Sequence, residues 1–437
     1  MKKETLFARH GFMESDLEVN VMGGRSKVGT FLQKALHYAG QTEDQIPEAE
    51  WMEALLQASN QVERVGREMS VDPRKKELPL SEIDPYIRGI VRWLNELGLH
   101  TNFCCDGHNK RPAHVSFIRL LKKEEIRLLK ACATKDVRMK IEGKKATFWY
   151  QPGEVHKLLD VSERFFALVK DPANIIHLEA DSFKSKVMDL LSISGASGNE
   201  RKIRNYLRQQ LNRISDYTYM DRAGNLLAYL TCGDGPTVLL SAHMDTVEEF
   251  SEGRYISEEG TVLSSSEGIL GADDRAGIAV VLELLSRISK TNFNGTLKVA
   301  FTVKEEIGCV GAREIDQEFI SDVDAAIVVD RRGTRDIVTS NYSTSFCPDE
   351  FGELFEKAGR SLGIDGWKVT IGGSSDARVF AEYGIPSVNL SAGYLHEHTD
   401  FETLDYKAAY ETMLLVEGVL HQQLIGVRGD VWAGEEV

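Results

Sequence analysis

Glu305 and Glu306 stand side by side in the stretch FTVKEEIGCVGARE, directly after an apolar run and directly before glycines. Adjacent carboxylates repel one another, so a cation nearby would make the arrangement sensible. The chain offers matching groups at similar places. His243 and Asp245 end TVLLSAHMDTV, Asp273 and Asp274 lie in GILGADDRAG, Asp330 ends AAIVVD, and His396 and His398 lie in SAGYLHEHTDFE. Two histidines among several carboxylates are the donor set of zinc or a similar borderline metal. A carboxylate shared by two ions about 3.5–4 Å apart would make a co-catalytic pair. One glutamate would then bind a metal, leaving its neighbour to handle protons on a metal-activated water. Taken singly, each motif also has an ordinary reading: a turn-forming aspartate, a solvated Glu-Glu helix start, or an N-capping Asp-Asp-Arg. Their shared position at the ends of apolar runs is what joins them.

Those runs imply the elements that must position these groups. From about residue 180 strand-like and helix-like segments alternate. SGNERKIRNYLRQQL opens with Ser197 and Glu200 at capping-box spacing and sets Ile203, Tyr206, Leu207 and Leu211 on one helical face. TVLLSA, TLKVAFTV and AAIVVD read as buried strands, GIAVVLELLSRI as an amphipathic helix, and LDYKAAYETMLLVEGVLHQQL as a long closing helix. Alternation of this kind predicts an α/β fold: a mixed, largely parallel sheet flanked by helices on both faces. In such sheets ligands collect beyond the carboxyl ends of the strands, where the acidic residues and histidines fall. His243 and Asp245, two apart, leave the same strand face.

The first 175 residues have a different texture. Helices such as PYIRGIVRWLNELGL and VHKLLDVSERFFALV are set against the strand-like HVSFIRL, VRMKIEG and KATFWYQ, which predicts a small α+β domain of unknown role over residues 1–175. KDPANIIHLEAD, residues 170–181, reads as the junction to a catalytic domain over residues 180–437. Within HTNFCCDGHNKRPAHVSF, Cys104, Cys105, His108 and His114 lie close together, but their spacing matches no common structural zinc pattern. A turn at Asp106-Gly107 between elements, with partly buried thiols, is the favoured reading.

Bulk composition narrows the function classes. The chain has 437 residues, 42% hydrophobic and 27% charged, and a formal net charge of −15, which argues against nucleic-acid binding. Six cysteines in so long a chain do not make a disulfide framework. No run approaches the roughly 18 apolar residues of a membrane span, and MKKETLFARHGFMESD has no apolar signal core. A cytoplasmic enzyme without membrane or nucleic-acid partners is expected.

SAHMDTV, LGADDRAGIA, VKEEIGCVGA, VVD and GGSSDARVFAEYGIPSVNLSAGYLHEHTDFE together resemble the di-zinc aminopeptidase superfamily, the group of peptidase T-like tripeptidases and glutamyl and leucyl aminopeptidases. The resemblance covers roughly residues 180–437. It implies an aminopeptidase acting on peptides with two divalent ions, most simply Zn2+, with Co2+ or Mn2+ as substitutes. His243 and Asp330 would hold one metal, Glu306 and His398 the other, and Asp273 would bridge them. Glu305 would be the general base, and Asp245 would hydrogen-bond the His243 imidazole. The family pattern of a histidine four residues before an acidic residue fits His398 with Glu402. It also fits His396 with Asp400; the continuation HTDFETLD favours His398. A deacylase or carboxypeptidase using the same metals is the alternative. Only 27 residues separate Asp245 from Asp273, and the 67 between Asp330 and His398 are partly taken up by a helix and strand around DARVFAEYGIPSVNL, so neither gap readily holds an inserted lid domain. The N-terminal domain, or another subunit of a homo-oligomer, would then close over the site. GGSSDARVF would either line the substrate pocket or cap a helix beginning near Asp376.

Overall fold

The structure, a computed structural model, describes residues 2–18, 20–21, 24–40, 46–59, 69–72 and 77–427. The chain forms two compact units, Met1–Ser182 and Phe183–Val437. It passes from one to the other inside helix Asn174–Leu191, so the stretch expected to be a junction is mostly helical. Asp171-Pro172 does break the preceding helix, Leu158–Lys170, but Ile175, Ile176 and Leu178 restart a helical pattern at once. Among the described residues no helix is long and apolar enough to cross a membrane.

The first unit carries a five-stranded antiparallel sheet in the order Met69–Ser70, Thr101–Cys105, Ala113–Phe117, Lys145–Trp149, Arg138–Glu142. Strand Lys145–Trp149 alternates between exposed and buried residues, as a sheet with one covered face requires. That face packs on helices through an aromatic-rich core that includes Trp51, Trp93, Phe117, Phe148 and Phe165.

The second unit is built on an eight-stranded mixed sheet. Its order is Lys368–Ile371, Asp336–Ser340, Ser387–Ser391, Ala325–Arg331, Thr237–His243, Thr296–Thr302, Leu226–Thr231, Tyr217–Met220. The middle strands, Ser387–Ser391 to Thr296–Thr302, run parallel to one another. Thr237–His243 lies at the centre and all but its first residue is buried, which is why it reads as an unbroken apolar run. Register then brings the site together. His243 pairs with Thr302, and Ser241 pairs with Val328, so Asp330, next to last in its strand, lies level with His243.

Two further features hold the surrounding segments. Helix Ala272–Arg287 is buried around most of its circumference. It approaches the sheet at Gly277, where an added Cβ would sit 2.0 Å from the carbonyl oxygen of Val329. A separate four-stranded sheet, Ile256–Glu259, Val262–Ser265, Thr403–Asp405, Tyr394–Leu395, occupies part of the gap between Asp245 and Asp273. Antiparallel pairing of Tyr394 with Leu404 and Leu395 with Thr403 closes residues 396–402 into a hairpin loop. That loop carries His396 and His398.

Candidate metal centre

Asp273 sits between the two histidines. Its Oδ1 lies 2.9 Å from His243 Nε2 and its Oδ2 lies 3.1 Å from His398 Nε2. On the first side, His243 Nε2 is also 3.5 Å from Asp330 Oδ1. On the second side, His398 Nε2 is 2.9 Å from Glu306 Oε2. Five side chains from three strand ends, a helix start and a hairpin loop therefore converge in two overlapping sets that share one carboxylate. His396 is exposed and takes no part in these contacts.

Glu305 lies within the same reach of His243 and Asp330 as a ligand set would require. Its Oε1 also accepts a weak hydrogen bond from the Cys309 thiol at 3.2 Å. Asp245 is placed to fix the backbone of both glutamates: Oδ1 accepts from Glu305 N–H at 3.0 Å and Oδ2 from Glu306 N–H at 3.2 Å. The nearer partner of the His243 ring is not the Asp245 carboxylate, 3.5 Å away, but the Asp245 carbonyl oxygen, 3.0 Å from Nδ1. A carbonyl only accepts, so the proton sits on Nδ1 and Nε2 is the nitrogen presented to the carboxylates.

Ser197 departs from the sequence reading. It does not cap helix Arg201–Leu211; its hydroxyl donates to Asp245 Oδ2 at 2.6 Å, while the Glu200 carboxylate accepts from Gly198 N–H at 2.7 Å. A hydroxyl facing a buried carboxylate gains a charge-assisted bond, stronger than a bond to a solvent-accessible helix end.

Three further acidic residues complete the surroundings. Glu402, 2% exposed, accepts Gly271 N–H at 2.7 Å and Asp273 N–H at 3.0 Å. Asp274 accepts His243 N–H at 3.2 Å and Gly277 N–H at 2.9 Å. Asp376 is 1% exposed; it accepts from the Thr302 hydroxyl at 2.5 Å and lies beside Glu305 and Cys309. The sequence marked Asp376 as the start of a helix, and it does begin helix Asp376–Glu382, which Ser375 caps. Its burial against the centre had no sequence signal, because a helix start and a buried carboxylate share the same local pattern.

The electrostatics are those of a crowded acidic pocket. Burial, with the charge of Asp330 added, pushes the Glu305 carboxyl up to about 9. Burial likewise raises Asp330 to about 7, Asp376 to about 6 and Glu402 to about 7. Burial disfavours a charge on His243, but the facing carboxylates of Asp330, Asp245 and Asp273 outweigh it and hold the ring well above the usual histidine range. Hydrogen bonds to Asp273 and Glu306 raise His398 to about 10.

The donor set fits divalent cations. The buried Oε1 of Glu306 and Oδ1 of Asp376 have no hydrogen-bond partner among the described residues. An orphaned carboxylate oxygen inside such a pocket is expensive unless a cation meets it.

Residues 225–418 match the model of peptidase family M28. Peptidase T of Salmonella arizonae is 27% identical over 200 residues, 37% of this chain and 47% of that protein. The uncharacterized protein YqjE of Bacillus subtilis is 28% identical over 144 residues, 31% of this chain and 39% of that protein. The matches thus span less than half the length of either curated relative. The crystal structure of a tripeptidase from Staphylococcus aureus shares the fold, with a TM-score of 0.50 at 19% identity over 56% of this chain and 98% of that one.

Proposed function

We propose, from a second unit that belongs to the di-zinc aminopeptidase superfamily, that the protein is a metal-dependent peptidase removing N-terminal residues from peptides. The observation that carries this reading is the division of the Asp273 carboxylate between two histidines, each with its own carboxylate partner. In it His243 and Asp330 would hold one cation and His398 and Glu306 a second, with Asp273 available to both. The ion types are Zn2+ first, with Co2+ or Mn2+ able to replace it. Two such cations would supply Lewis acidity for the scissile carbonyl and acidify water.

The chain's own residues do the rest. The Asp245 carbonyl keeps the His243 proton on Nδ1, leaving the Nε2 lone pair free to bind. Glu305, held by its backbone to Asp245, takes a proton from the attacking water and returns it to the leaving amine. A free carboxylate is needed for that, and the positive charge of two cations would draw the Glu305 pKa down from its raised value. The acidic surplus around Asp376 and Glu305 suits a peptide's terminal ammonium better than the free carboxylate of an N-acyl amino acid.

The test sets aminoacyl-anilides against N-acetyl amino acids, using protein stripped with chelator and then restored with Zn2+, Co2+ or Mn2+. Metal-dependent release of the anilide is expected. Cleavage confined to the acetylated substrates would make the protein a deacylase. Metal uptake without turnover on either would make it a binding protein.

A further inference from the structure

The geometry points to a separate divalent-cation site in the first unit, formed by Asp84, Cys105, Asp106 and His108. One ligand-type atom from each of the four lies within 4.8 Å of those of the other three. Asp84 is 7% and Asp106 5% exposed, and Cys105 is fully buried. None of the four belongs to the strand-end centre described above, so this inference stands apart from the peptidase reading.

The chain builds the cluster by an unusual turn. Cys105 ends strand Thr101–Cys105, and Asp106 follows it and accepts the His108 N–H at 2.8 Å. Gly107, His108 and Asn109 all have positive φ, of 82°, 50° and 59°. Two consecutive non-glycine residues in the left-handed region are uncommon and need outside support. The Tyr150 hydroxyl provides it by donating its single proton to the carbonyl oxygen of Asp106 at 2.6 Å, with that of Arg111 3.1 Å away. The result turns the His108 ring back over the cluster, with Nδ1 3.4 Å from Asp106 Oδ1 and Nε2 4.0 Å from Asp84 Oδ2.

Two observations independent of the turn point to a cation. Asp84 occupies the N-cap position of helix Pro85–Glu96, where aspartate normally accepts an amide of the first turn, yet its side chain makes no capping bond. Its Oδ2 instead meets the Asp106 N–H at 3.4 Å, inside the cluster. Arg88, one turn along, donates its Nε and Nη2 to the carbonyls of Leu80 and Ile83, so its charge acts on Asp84 through space. Second, His108 Nε2 is buried without a hydrogen-bond partner.

A thiolate, an imidazole and two carboxylates suit a borderline cation such as Zn2+ rather than Mg2+ or Ca2+, which take oxygen ligands. The sequence had grouped Cys104, Cys105, His108 and His114. In the fold Cys104 faces the apolar core, as alternation along a strand demands, and Asp84 arrives from a distant helix. His114 pairs across the ladder from Cys105 and is not one of the four.

The experiment titrates Co2+ into the chelator-treated full-length protein and records the thiolate-to-cobalt charge-transfer absorption in the near ultraviolet. The band is expected in the wild type, lost in Cys105→Ser, and retained in Asp273→Asn and Cys309→Ser. Should Cys105→Ser fail to fold, His108→Ala replaces it, because that ring is partly exposed. It is expected to lose one cation equivalent per chain, by metal analysis after dialysis, with the rest retained. Absence of the band at saturating Co2+, its persistence in Cys105→Ser, its loss in Cys309→Ser, or unchanged metal content in His108→Ala would overturn the assignment.

Discussion

The buried carboxylate of Glu402 accepts the backbone N–H of Asp273 at 3.0 Å and that of Gly271 at 2.7 Å. Glu402 therefore holds the main chain that aims the shared aspartate, without meeting either histidine itself. Glu402→Gln keeps the size but turns one acceptor oxygen into a donor facing an N–H. The expected result is a loss of cation affinity of about 10–100-fold, read by competition with a chromophoric chelator. Turnover at saturating metal should change far less. Equal loss of turnover at saturating and limiting metal would show that Glu402 acts otherwise.

Glu305 and Glu306 are neighbours with different surroundings: Glu306 Oε2 faces His398 at 2.9 Å, while Glu305 Oε1 faces the Cys309 thiol at 3.2 Å. Glu305→Gln should keep both cations and lower kcat by roughly 10²–10⁴-fold, the usual worth of a positioned base. Glu306→Gln should lower metal content instead. Metal analysis beside anilide turnover separates the two. Loss of cations from Glu305→Gln alone would exchange the roles.

Much of this centre was legible in the sequence, for a physical reason. Strands buried on both faces read as apolar runs, and the first charged residues after them must leave the sheet at its edge, so His243, Asp330 and the Glu305-Glu306 pair announced their own positions. The sheet order was not legible, since nothing local says that Thr237–His243 pairs with both Thr296–Thr302 and Ala325–Arg331. Nor were the partners of Glu402, Asp274 and Asp376, backbone amides and a hydroxyl that only the closed fold supplies. Ser197 shows the opposite failure: a strong local capping signal lost to a buried carboxylate 48 residues away in sequence.

His396 and His398 share a loop and a positive φ, 58° and 63°, yet only His398 meets Asp273 and Glu306. His398→Ala should cost one of two strand-end cation equivalents and nearly all turnover. His396→Ala, on the exposed side of the loop, should leave both near wild type. Metal content per chain after dialysis decides it, and the reverse pattern would move the ligand to His396.

Chelation should make stability depend on pH in a definite direction. Glu305, Asp330, Asp376 and Glu402 titrate at about 9, 7, 6 and 7 in the fold, each raised chiefly by burial from ordinary carboxylate values near 4. The folded chain thus holds protons that the unfolded chain gives up, and their stabilising contribution is lost as pH rises through these values. His398, raised to about 10 by its bonds to Asp273 and Glu306, acts in the same sense: its contribution is full below the unfolded histidine value and fades above it. Asp245, held low against burial by His243, contributes at any pH above the ordinary carboxylate range and adds no slope near neutrality. The melting temperature of EDTA-treated protein should therefore fall by several degrees between roughly pH 6 and pH 9. Added Zn2+, by replacing protons with cations, should raise it more at the alkaline end. Differential scanning fluorimetry across that range, with and without metal, measures both slopes; a flat profile in EDTA would mean that the carboxylates are not crowded as the fold arranges them.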